Sequence, residues 1–456
     1  TLLILTGVTA AAVGFITNNP LNVTSNANIL GAVYTLQNAP NMAAQLNFGG
    51  NLNVASGGMI SGYMPTNVAG LNLTGLFASS GMNLNVLGKL TNSGLITTPG
   101  TLNVNVGGNI ANATIAGAAT SATFAAQNIN IFSGSGSIIN SGIMRAMDSL
   151  NISTNPSTDL LIQNTGGLME SLGMTNGSEI LGGAINIRDI NYVEKADTTL
   201  LGGDWLSNSL NMNAGEGLLN LNAEGVSGRV NMHAGEAHVT ASTSLLTLGD
   251  ITITGDPTFY NLNGDIDVGG TLNFAGQAIT IMSNKDVGVV NNGGANNYSI
   301  ISSGATGGEI NIIAGVNITV GSGDSSTLTN NPATGTISFG GASDKGGSIN
   351  FTNGDDRVTL IDSRGTAGAG GIVRIIAYED SNSTAGGGIL LGNTTIRTGG
   401  SGGAANGDVW IVGGDTNNGF GITVGDIITT GGTGGGGTVN VFAATPTGNA
   451  NSANTA

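Results

Sequence analysis

A chain of 456 residues with 79 glycines, no cysteine and only 8% charged residues is not composed like an ordinary α/β enzyme, in which charged residues make up about a quarter. Hydrophobic residues still reach 39%, too many for a disordered chain, so part of the molecule packs. The net charge of −16, from 11 Lys and Arg against 27 Asp and Glu, supplies no basic stripe for a phosphate backbone, and the acidic excess reads as solubility rather than as a nucleic-acid footprint. Zero cysteine excludes disulfides, a thiol nucleophile and thiolate metal sites.

The first segment, Thr1 to Ile16 (TLLILTGVTAAAVGFI), is apolar but shorter than the ~18 residues of a membrane-spanning helix. It resembles the core of a secretion signal yet lacks an initiator Met and a basic start, so the numbering is read as beginning inside a longer precursor. If it belongs to the mature protein, such a strand needs a partner to cover it. Leu2, Leu3, Ile4, Leu5, Val8, Val13, Phe15 and Ile16 are therefore the expected contacts with a neighbouring copy.

From there a phrase returns: one or two Gly, then apolar, polar (often Asn), apolar. It reads GGNLNV at Gly49 to Val54, GTLNVNV at Gly100 to Val106, GGAINI at Gly182 to Ile187 and GDITI at Gly249 to Ile253. Later copies are GGTLNF at Gly269 to Phe274, GGEINI at Gly307 to Ile312, GGSINF at Gly346 to Phe351, GDVWIV at Gly407 to Val412 and GTVNV at Gly437 to Val441. A period of two marks a strand with one buried face, and helical spacing is nowhere sustained. Typical gaps of roughly 18 to 30 residues suit the coils of a solenoid better than hairpins of a sandwich. Stacked in parallel, the apolar residues form dry columns while Gly and Asn make the corners.

The expected fold is all-β, an elongated right-handed parallel β-helix with Gly/Asn-rich corners. Its expected organisation is an apolar N-terminal segment at 1–46, Asn/Leu-rich coils at 47–156, irregular or decorated turns at 157–206, increasingly Gly-rich coils at 207–442 and a polar tail at 443–456. The stretch from Ser157 to Leu206 gathers Asp189, Glu194, Lys195, Asp197 and Asp204, which suits a surface loop.

Three stretches, Gly136 to Ser153 (GSIINSGIMRAMDSLNIS), Gly235 to Ile266 and Gly419 to Val441, resemble the repeats of filamentous-haemagglutinin-like bacterial surface proteins. That resemblance runs from about Asn47 onward and rests on the style of repeat; the opening fifty residues do not match the family's secretion-domain motifs. It implies a right-handed parallel β-helix on the bacterial cell surface that acts in adhesion, aggregation or as a structural fibre.

Candidates for chemistry are few. His233 and His238 share MHAGEAHV with Glu236, and the two imidazoles converge only if Gly235 turns a corner between them; surface histidines are the plainer reading. Asn353 to Arg357 (NGDDR) with Asp362 and Arg364 resembles the paired acids of β-helical glycosidases, but no His or basic substrate-binding motif follows. Asp265 and Asp267 in NGDIDVGG face one side of a strand and are the candidates for calcium, without the nonapeptide pattern of calcium-binding β-rolls. The glycine runs Gly399 to Gly403 and Gly431 to Gly437 lack the Lys and Ser/Thr of a phosphate loop and read as corners. Trp205, Trp410 and Tyr378 suit apolar columns better than a carbohydrate platform. A flat ice- or mineral-binding face would need a Thr ladder, and ITIT at Ile251 to Thr254 is too isolated.

No catalytic residue, metal centre or cofactor is thus assigned. The expectation is a non-enzymatic, extracellular structural or adhesive solenoid whose copies associate head to tail through the apolar N-terminal strand. The alternative is a carbohydrate-active β-helix (polysaccharide lyase or glycosidase) or a solitary adhesin that binds glycans or other cells.

Overall fold

A computed structural model describes residues 13–15, 20–66, 73–173, 183–255, 257–320, 337–380, 386–414 and 421–443. Among them every regular element is a strand, and nearly all pair in parallel with the equivalent strand one coil away, so the fold is the expected all-β parallel solenoid. The chain divides into two compact units, residues 1–213 and 214–456.

In the first unit each coil runs through successive short strands separated by corners. One ladder stacks Ala43–Phe48, Gly81–Val86, Thr101–Val106, the second half of Thr123–Ser133, the second half of Ile143–Thr154, Ala184–Ile187 and Ser209–Asn213. A second stacks Ala27–Ile29, Leu52–Val54, Leu90–Asn92, Ile110–Asn112, Ser137–Asn140, Leu160–Gln163 and Thr198–Leu201. Alternation does what the phrase predicts: Leu102, Val104 and Val106 are buried while Asn103 and Asn105 face outward. Trp205 stacks in register next to Met169 in an apolar column, fully buried, with its indole N–H donated to the Gly202 carbonyl at 3.0 Å. Strand Val13–Phe15 continues the stacking by pairing with Ala32–Tyr34, while Leu2, Leu3, Ile4, Leu5, Val8 and Ile16 lie outside the described residues.

The stretch 157–206 carries ladder strands, among them Leu160–Gln163, Leu168–Ser171 and Ala184–Ile187, together with a loop between Ile187 and Thr198. Arg188, in the left-handed region at φ 62°, anchors that loop. Its guanidinium donates to Thr198 Oγ1 (2.8 Å), Thr158 O (2.7 Å) and Asp197 O (3.1 Å), and lies 4.7 Å from the Tyr192 ring centroid. Burial pulls its pKa down against the pull of Tyr192, Asp159 and Asp197.

The second unit repeats the plan. One ladder stacks Leu218–Ala223, Glu236–Ala241, Pro257–Asn261, Ile279–Ser283, Ile310–Ala314, Val373–Ala377, Val409–Gly413 and Val439–Ala443. Phe259 and Phe274 meet inside at 6.1 Å between centroids, tilted by 54°. Among the described residues, strands Val316–Val320 and Ile337–Ala342 break the pattern: they pair antiparallel and form a hairpin. Its Val316 and Ile318 pack with Tyr260 into a small core, against Met282, Ile313, Leu262 and Tyr378.

Candidate functional site

The polar side chains of the first unit interact mainly with one another. On the outward face of its first ladder, Asn103 donates from Nδ2 to Asn83 Oδ1 (2.6 Å), Asn130 to Asn103, Asn151 to Asn130, Asn186 to Asn151 and Asn211 to Asn186, each of these four at 2.7 Å. Each of the inner asparagines, Asn103, Asn130, Asn151 and Asn186, accepts from one neighbour and donates to the other, the geometry of stacked amide ladders. Their separation in sequence varies from 20 to 35 residues, so the stacking aligns them although the coils differ in length. A shallow groove of about 420 Å³ runs beside this ladder, lined by Asn103, Asn105, Asn130, Phe132, Asn151 and Ser153.

A second ladder is buried at a corner. Asn92 donates to Asn112, Asn112 to Asn140 and Asn140 to Asn164, each at 2.7 Å, and all four side chains are fully buried. The other amide hydrogen of Asn112 reaches the Ile143 carbonyl at 3.1 Å, so one residue ties two coils and a neighbouring strand together.

In the second unit carboxylates make several of the side-chain contacts between coils. Asp250 Oδ1 accepts the N–H of Thr271 (3.0 Å), Asp265 Oδ1 that of Asp286 (3.1 Å), Asp286 Oδ1 that of Ser348 (2.7 Å) and Asp408 Oδ1 that of Thr438 (2.8 Å). Asp265 and Asp267, the sequence candidates, are thereby joined by Asp286, and the three line a groove of about 290 Å³ with Ser348, Asn350, Asn353 and Leu390. Gly288 pairs with Asp267 in the next coil and leaves room for its carboxylate: a Cβ there would stand 2.6 Å from Oδ1. Burial, then repulsion from Asp265 and Asp286, pushes the Asp267 carboxyl up to about 6, and burial raises Asp286 as well. Among the described residues no group of three His, Cys, Asp or Glu side chains is placed to hold a metal ion.

The remaining sequence candidates do not converge. Gly235 does separate strands of different ladders, but His238 is engaged by Thr258 Oγ1 and Glu236 Oε1, both at 3.0 Å, while His233 stands exposed on the other strand. Asp355 is exposed in a turn; Asp356 points inward, fully buried, and accepts from Asn292 N–H, Asn296 N–H and Asn296 Nδ2. Those donors, the Asn292 amide foremost, hold its carboxyl below the usual carboxylate range. Asp362 is clamped in a two-point pair by Arg364 (2.9 and 2.7 Å).

Sequence reasoning missed Asp286 and the corner role of these acids. A usable signal was present: Asp265, Asp286 and Asp408 each directly precede the first apolar residue of a strand, and Asp250 directly precedes Ile251 in the phrase GDITI. It also missed the exposed apolar residues of the anchored loop, Ile190 and Val193, at 85% and 72% exposure.

No family model, curated protein or solved structure matches the chain. Among the described residues no helix is long and apolar enough to cross a membrane. Fold and side-chain geometry define the class instead: a charge-poor parallel β-solenoid whose coils are stitched by Asn and Asp side chains.

Proposed function

We propose that this chain is an extracellular structural or adhesive solenoid of a bacterial surface, and that its copies join head to tail into a filament or matrix fibre. The observation that carries the reading is the destination of the polar side chains. The asparagines of the outward and corner ladders, the corner aspartates and Asp356 are all engaged in holding neighbouring segments together, the economy of a protein whose work is cohesion. Scarcity of Lys and Arg adds resistance to trypsin-like proteases, and continuous ladders raise the cost of local opening. Electron microscopy of the purified protein tests it. Fibres with a layer line near 4.8 Å, the spacing of stacked strands, support the reading, and isolated particles at high concentration overturn the assembly it asserts.

A second reading, a carbohydrate-active β-helix, draws on the groove of Asp265, Asp267 and Asp286. A carboxyl pushed up to about 6 beside two further carboxylates in one groove resembles the acid pairing that glycoside hydrolysis uses. Release of reducing ends from a polysaccharide panel by the native chain, abolished in Asp267→Asn, would favour it; no release with any substrate would count against it.

A further inference from the structure

The outward face of the second unit carries a column that no polar ladder occupies. In strict register one coil apart, Tyr260 pairs with Met282, Met282 with Ile313, Ile313 with Ile376, Ile376 with Val412 and Val412 with Phe442. Side chains alternate across a strand, and the inner neighbours Ile375 and Ile411 are fully buried in the solenoid, so these six form a stripe on its outside.

The chain covers one half of this stripe itself. Hairpin residues Val316 and Ile318 lie against Tyr260, Met282 and Ile313, and Tyr260 is only 8% exposed as a result. Along the other half exposure grows: Ile376 and Val412 are half-buried and Phe442 is 47% exposed. Trp410, at 37%, stacks on Phe442 with 6.1 Å between centroids and 19° between planes. The charge nearest in the column of Trp410, Arg374, is already paired with Glu309 at 2.7 Å.

The first half shows what such a surface takes: an extended segment with large aliphatic residues at positions i and i+2. We propose that Ile376, Val412, Phe442 and Trp410 seat the apolar N-terminal segment of a second copy, with Leu3 and Leu5 placed as Val316 and Ile318 are. This rests on the head-to-tail reading and names the seat. The segment carries no charge from Thr1 to Ile16, and its run of Leu2, Leu3, Ile4 and Leu5 is the kind of aliphatic stretch the seat requires. Burial of such side chains removes apolar area from water, which favours docking.

The absence of cysteine makes the test direct. Leu3→Cys and Val412→Cys are made in separate full-length chains, one with an added mass tag, and mixed under mild oxidation. The mixed disulfide dimer is expected in about tenfold excess over a Leu3→Cys with Asn105→Cys control, because docking raises the local concentration of one thiol near the other. Equal yields in the two mixtures overturn the seat. Val412→Asp, checked for native circular dichroism, separates the seat from assembly itself. Fibres that vanish on deletion of residues 1–12 but persist in Val412→Asp place the seat elsewhere and leave the head-to-tail reading intact. Isolated particles in the unmodified protein overturn both.

Discussion

Asp265 Oδ1 accepts the backbone N–H of Asp286, 21 residues later and one coil on, at 3.1 Å. The contact makes the carboxylate a corner clamp, and it draws a second carboxylate toward Asp267. Stability of the coil and electrostatic strain at the groove therefore have the same origin.

That strain predicts a pH response. The native Asp267 carboxyl keeps its proton up to about pH 6, whereas the unfolded one releases it near 3.8, so the ionised group costs stability at pH 7. This cost vanishes as pH falls from about 6 towards 3.8. The shift corresponds to at most about 3 kcal/mol, and partial exposure reduces it to on the order of 1–2 kcal/mol. Asp267→Asn should be more stable than the parent by that amount at pH 7, with the difference closing by pH 4 in urea denaturation. A constant difference across the range would show that repulsion is not its source.

The outward ladder predicts a polarity effect. Asn130 donates to Asn103 and accepts from Asn151, so Asn130→Ala loses two hydrogen bonds, about 1–2 kcal/mol. Asn130→Asp still accepts from Asn151 but sets an oxygen against Asn103 Oδ1. It should be the more destabilised of the two in equilibrium denaturation, despite its closer shape.

The buried ladder should be far less tolerant. Asn112→Leu preserves bulk but leaves Asn92 without its acceptor and Asn140 Oδ1 without its donor at fully buried positions. Unsatisfied buried groups cost about 1–3 kcal/mol each, so a loss of about 3 kcal/mol or more is expected. Thermal unfolding measures it, and a loss below that of Asn130→Ala would contradict the assignment.

Close coil approach predicts which glycines are replaceable. A Cβ on Gly371 would stand 2.1 Å from the Gly308 carbonyl oxygen and 2.2 Å from Ser363 Oγ, whereas one on Gly403 meets nothing within 4 Å. Gly371→Ala should cost about 3 kcal/mol or more by overpacking. Gly403→Ala should be neutral to about 1 kcal/mol stabilising, since alanine restricts the unfolded chain. Soluble yield and melting temperature separate the two.

Much of the fold was legible because a period of two is a local property. Each apolar–polar–apolar phrase is a strand in the molecule, from Leu52–Val54 to Val439–Ala443, since alternate side chains must face opposite sides of a strand whatever it packs against. The placement of the histidine and NGDDR residues was half legible. Their residue types were visible, but the inward turn of Asp356 onto Asn292 and Asn296 depends on a loop some 60 residues earlier.

What the amino-acid order determined by itself is the strand phrase, its apolar inner face and its Gly/Asn corners, all set by backbone sterics and side-chain alternation within a few residues. What only the tertiary structure decided is who meets whom across coils. Ladder partners lie 20, 27, 21, 35 and 25 residues apart, so no fixed spacing identifies them. The pairing of Asn130 with Asn151, the convergence of Asp286 on Asp265 and Asp267, and the hairpin laid over Tyr260 follow from backbone hydrogen bonding that stacks strands in register and lets corners of unequal length bulge outward.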